Sequence, residues 1–99
     1  MQIARVLGTV TSTQKEPSLR GIKFLVLQLI DDDGRPMSGY EVAADSVGAG
    51  VDEWVLVSHG SAARQVPGSE QRPVDAAVVA IIDTVSIENR LLYSKRDQY

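Results

Sequence analysis

His59 is the only histidine of the chain, and it directly follows Ser58. Adjacent residues of a strand point to opposite sides, so this pair cannot serve as nucleophile and base. His59 reads instead as a solvated or interface side chain. Asp31-Asp32-Asp33-Gly34 has the carboxylate density of a calcium loop. Such a loop needs oxygen ligands at alternating positions and a closing Glu, but Arg35 takes the fifth position. A solvated turn is the better reading. Gly48-Ala49-Gly50 could open a phosphate cradle, yet the third glycine is missing and Val51-Asp52-Glu53 starts no helix. With no cysteine, thiolate chemistry, disulfides, iron–sulfur clusters and zinc ribbons are excluded. The expectation is a non-enzyme with no catalytic residue, no cofactor and no metal site.

The surrounding pattern is mostly β. Ile3 to Thr13 is rich in β-branched residues and too laden with Gly and Thr for a helix. Pro17 and Gly21 bracket a loop, and Ile22 to Ile30 follows as a long apolar strand. Asp-Gly with Pro36 close behind ends that strand, and Tyr40 to Asp45 returns as a third. Glu53 to Ser58 reads as a fourth strand and Ala77 to Ile87 as a fifth. Between these two, Gly60 to Gln65 reads as one short helical turn with Ser61 as N-cap, followed by a loop holding Pro67 and Pro73. The expected fold is all-β: a small five-stranded OB-like barrel with one short helix, since closure removes exposed edges. One barrel domain over residues 1–87 and a polar C-terminal tail over 88–99 complete the layout.

Ninety-nine residues support one core, with about two-thirds of the unfolded surface buried on folding. Hydrophobic content of 43% and charged content of 23% are ordinary globular usage. The apolar runs are too short to span a bilayer, and the start Met1-Gln2-Ile3-Ala4-Arg5 lacks a signal-peptide layout, so a soluble cytosolic chain without a membrane partner is expected. A net charge of −3 and thinly spread arginines argue against a nucleic-acid partner. An OB-like single-strand-binding protein stays as the alternative function.

Several strands are apolar on both faces. Leu25, Leu27 and Leu29 oppose Ile22, Phe24, Val26 and Ile30; Trp54 and Leu56 oppose Val55 and Val57; Val79 and Ile81 oppose Val78, Ala80 and Ile82. A lone barrel should alternate with polar residues, and this chain has almost no helix to cover an outer face. A second copy of the chain is the remaining source of cover, so a homo-oligomer is expected.

Four stretches carry a further likeness: Met1 to Val6 with Thr9 to Lys15, Tyr40 to Asp45, Val47-Gly48-Ala49-Gly50-Val51-Asp52-Glu53-Trp54-Val55-Leu56-Val57, and Gly60-Ser61-Ala62-Ala63-Arg64. In this order they resemble the CcmL/EutN family of bacterial microcompartment vertex proteins. The ending Ile81 to Val85 with Leu92 to Tyr99 is most similar to the carboxysome members. The resemblance implies a homopentamer in the carboxysome shell, within the bacterial cytoplasm. That ring would meet hexameric shell proteins and close the shell around CO2-fixing enzymes. It also implies inter-protomer contacts at Gly48, Ala49, Gly50, Glu53, Trp54, Ser61 and Arg64. Gly48 and Gly50 would let backbones approach near the axis, and Glu53 would pair with Arg64 across the interface.

Overall fold

The computed structural model describes residues 1–13, 15–60 and 74–98. Seven strands are formed among them: β1 (Gln2–Val10), β2 (Phe24–Ile30), β3 (Glu41–Asp45), β4 (Trp54–His59), β5 (Ala76–Ile81), β6 (Thr84–Ile87) and β7 (Arg90–Ser94). The first five close a barrel in the order β1-β2-β3-β5-β4, with β4 returning to β1. Every pair in it is antiparallel except β3 with β5. Side-chain alternation turns Ala4, Val6, Leu25, Leu27, Val55, Val57 and Val78 inward, all essentially inaccessible to water. Alanines 43 and 76 fill the narrower space between them.

A bulge at Leu7 interrupts the β1–β2 register: Val6 pairs with Leu27, whereas Gly8 pairs with Val26. Both Leu7 and Gly8 then face outward, because Val6 and Leu27 point into the core. A second bulge lies between Leu56 and Val57 where β4 meets β5. The sharp stop of β2 is made by Asp31, whose Oδ1 accepts the backbone N–H groups of Asp33 and Arg35.

The C-terminal part departs from the expected layout. The fifth strand does not run on from Ala77 to Ile87; it ends at Ile81, and β6 and β7 form a separate two-stranded hairpin. Asp83 interrupts the β-branched run, and Glu88 and Asn89, both at positive φ, supply a two-residue turn. Residues 90–94 are therefore a strand, and Lys95–Gln98 is a 3-10 turn whose Lys95 N–H donates to the Asp83 carbonyl. The short helix expected over residues 60–65 falls, beyond Gly60, outside the described residues. The folded chain exposes 6325 Å².

Candidate functional site

Asp45 ends β3 and organises the loop that follows. Its side chain is only 2% exposed. Oδ1 accepts the N–H groups of Val47 and Gly48 at 3.0 Å each, and Oδ2 accepts that of Ala49 at 3.1 Å. Lys23 lies 3.8 Å from Oδ2 and supplies the opposite charge. Wrapping three donors around one carboxylate forces a tight bend, and Gly48 meets it at φ +77°, where other residues are strained. A Cβ on Gly48 would touch nothing within 4 Å, so the need is for backbone freedom rather than space.

Gly50 is different. Its φ is not in the left-handed region, and its constraint is the Glu53 carboxylate, 3.3 Å from where a Cβ would stand. The Gly50 N–H donates to Glu53 Oε1 at 2.6 Å, and Lys95 Nζ donates to Oε2 at 2.7 Å. The Lys95 ammonium, aided by the Gly50 N–H, holds the Glu53 carboxyl below its ordinary value. One carboxylate thus ties the loop to the 3-10 turn at the end of the hairpin. Trp54 makes the next tie: its ring stacks on Tyr93 of β7 with centroids 4.4 Å apart and planes 14° apart. At the loop tip, Asp52 Oδ1 accepts from Arg5 at 2.8 Å, while Val6 and Asp52–Glu53 exchange backbone hydrogen bonds.

The structure brings Gly48, Ala49, Gly50, Glu53 and Trp54 together on one loop and the strand it feeds. Within the protomer each of the described residues among these has a duty of its own. Ala49 is 1% exposed and belongs to the barrel core, which leaves nothing of its side chain for a neighbour. Glu53 is ion-paired with Lys95 of the same chain. Trp54 is covered in part by the chain's own hairpin. Gly48 stays exposed at the surface. Ser61 and Arg64 lie outside the described residues.

The residues behind this construction that sequence reasoning passed over are Asp45, Tyr93 and Lys95. Asp45 carried a signal, since an Asp ending a strand before a Gly-containing turn is a common acceptor for the next backbone donors. Tyr93 and Lys95 carried none, because their partners are distant in sequence. His59 Nε2 stands 2.7 and 2.8 Å from the two oxygens of Glu41, an ion-pair geometry at the barrel surface. Ser58 is buried, with its own place in the β4–β5 ladder opposite Ala77. What these residues build is a braced loop on a rigid barrel, which is suited to presenting a surface.

The family model for ethanolamine utilisation protein EutN/carboxysome matches residues 1–83, ending where the barrel hands over to the hairpin. The chain is 73% identical to the carboxysome shell vertex protein CcmL of Gloeobacter violaceus, covering 100% of this chain and 99% of that protein. The solved structure of that species' CcmL superposes with a TM-score of 0.94 at 72% identity, covering 98% of this chain and 100% of the other. GrpN of Rhodospirillum rubrum, a pentameric microcompartment shell protein, gives 0.80 at 45% identity over 88% and 99% of the two chains.

Proposed function

The chain belongs to the EutN/CcmL family, and on that premise we propose that it is a structural protein forming the pentameric vertices of the carboxysome shell. The observation that carries this reading is the unbroken similarity to a carboxysome vertex protein along the whole chain, barrel and hairpin alike. It is not an enzyme. Its place is in the shell that surrounds the CO2-fixing enzymes in the bacterial cytoplasm.

The physical role follows from geometry. A sheet tiled by hexagons stays flat or rolls, and pentagons are what close it. The ring therefore meets hexameric shell proteins along five outer edges, through a rim distinct from the contacts between its own protomers. A charge of −3 per chain becomes about −15 per ring. Rim contacts of that charge weaken or strengthen with ionic strength, as purely apolar contacts would not. The single-strand-binding alternative has little support. Such a barrel needs aromatic platforms open to bases, whereas Trp54 is stacked on the chain's own Tyr93.

Light scattering on the purified protein tests the ring. Five chains of 10.7 kDa give about 54 kDa. A stable monomer would overturn the proposal.

A further inference from the structure

The β6–β7 hairpin is a sheet of its own: β6 pairs with β7, and at its root the Lys95 N–H closes onto the Asp83 carbonyl. Just before it the chain is pinned to the barrel at Ile82, whose N–H donates to the Trp54 carbonyl at 2.8 Å. Asp83, the next residue, is exposed. Side chains then hold the hairpin down. Tyr93 lies on Trp54, Lys95 meets Glu53 at 2.7 Å, and near the turn Arg90 reaches Asp33 at 3.3 Å. Leu92 and the Trp54 ring each come within 3.8 Å of where a Cβ on Gly34 would stand. Hairpin, β4 and the turn after β2 thus share one seam.

The seam is held unevenly. At the root the Lys95 and Glu53 side chains are 35% and 12% exposed, so their pair is partly shielded from solvent. Near the turn Arg90 and Asp33 are 62% and 63% exposed, where an ion pair contributes little. Ile87 of β6 lines an open groove of about 410 Å³ with Ile3 and Leu56 of the barrel, so the turn end does not pack flush. Under the middle of the seam the Tyr93 hydroxyl is buried, with no hydrogen-bond partner among the described residues. Closing the hairpin strips that hydroxyl of water without replacing it, a cost that opening returns. The closed state therefore leans on one aromatic stack with its apolar surround, and on charges that salt weakens.

We propose that the β6–β7 hairpin is a strap that swings away from the barrel as a unit, about the exposed Asp83, while the barrel stays closed. Trp54 and Leu56 point the same way along β4, and Ile3 is in register with Leu56. Opening joins the bared face of Trp54 to these two, so one continuous apolar surface is hidden in the closed state and shown in the open one. The barrel needs no rearrangement, because Trp54 stays fixed by the pairing of β4 with β1 and β5. An element without a ladder to the core is the kind that opens ahead of global unfolding. The strap is a property of the protomer and does not rest on the pentameric reading.

The test is amide hydrogen exchange, read by mass spectrometry on the assembled protein at one concentration, for wild type, Lys95→Met and Tyr93→Phe. In wild type the amides of β6 and β7 are expected to exchange at least about tenfold faster than the ladder amides of β1, β2 and β4. Raising salt from about 0.05 M to about 0.5 M should speed the hairpin amides and leave those of the barrel in place. Lys95→Met should speed the hairpin alone, by roughly fivefold. Tyr93→Phe should slow it by roughly fivefold or more, because the closed state no longer buries an unpaired hydroxyl. Quenching of Trp54 fluorescence by acrylamide should follow the same order. Should a variant fail to fold, the salt response of wild type decides. Hairpin and barrel amides that exchange at one rate, that shift together with salt or with Lys95→Met, or that do not shift at all would overturn the strap. Faster hairpin exchange in Tyr93→Phe would overturn it too.

Discussion

Replacing Asp45 by alanine should destabilise the protomer more than any exposed carboxylate would suggest. The Asp45 side chain is 2% exposed and holds three backbone N–H groups. Two of these donors, on Val47 and Gly48, belong to exposed residues, so water can replace the carboxylate there at a cost of about 1 kcal/mol each. The third, on buried Ala49, is left without an acceptor, which adds about 2 kcal/mol. Relief of a desolvated carboxylate whose nearest cation is 3.8 Å away returns part of this. The net expectation for Asp45→Ala is about 3 kcal/mol, a large fraction of what holds a domain of this size. Asp45→Asn keeps one acceptor oxygen but turns an amide donor toward one of the three N–H groups, so about 2 kcal/mol is expected. Urea unfolding followed by the fluorescence of Trp54, the only tryptophan, measures both. All variants must be compared at one protein concentration, since assembly stabilises the folded chain. With a slope of about 2 kcal/mol per molar, Asp45→Ala should lower the midpoint by about 1.5 M. A midpoint within 0.5 M of wild type, roughly 1 kcal/mol, would refute the view that this carboxylate organises the loop.

Three further expectations concern the same region. The Glu53 carboxyl is held below its ordinary 4.5 in the folded state, so its contribution to stability is complete above that value and is lost as pH falls through the lowered one; Glu53→Gln should flatten this acid limb in melting temperatures taken from pH 6 downward, and an unchanged limb would contradict the Lys95 tie. Tyr93 is buried and its hydroxyl has no hydrogen-bond partner among the described residues, so Tyr93→Phe should leave the melting temperature equal or higher, whereas Tyr93→Ala should cost about 3–5 kcal/mol; a drop for the Phe variant would mean the hydroxyl is hydrogen-bonded in the assembled protein. Gly48→Val should cost about 1–3 kcal/mol through its backbone alone, and Gly48→Asn clearly less, which calorimetry of the two variants resolves; equal losses would show that space, not φ, is limiting.

The barrel was legible because its evidence is local. Continuous apolar and β-branched runs in β2 and β4, with punctuation by Asp-Gly, Pro36 and Gly48, mark strands without any knowledge of their partners. The hairpin was not legible, because Ile81 to Ile87 is β-branched almost throughout and Asp83 alone marks its break. The Glu88-Asn89 turn lacks the glycine that usually announces a two-residue connection. That omission changed the meaning of Trp54. A large aromatic on an outward strand position implied cover by another subunit, but part of that cover is Tyr93 of the same chain. In β2 the outward-facing Phe24 and Val26 stay only half-buried in the protomer, which keeps the expectation of cover by another copy of the chain. Within the protomer Glu53 is paired with a lysine. Its partner, Lys95, lies beyond the barrel, where spacing in sequence gives no guide.

Imaging cells that lack this chain tests the vertex role most directly. Sheet-forming shell proteins and cargo should still accumulate in them, but as elongated or open compartments without closed corners. Electron microscopy of the deletion strain, with the gene restored as control, reads this out. Elongated or unclosed bodies that return to closed polyhedra on restoration are predicted. Normal closed polyhedra in the deletion strain, with no substitute protein at their corners, would contradict the account.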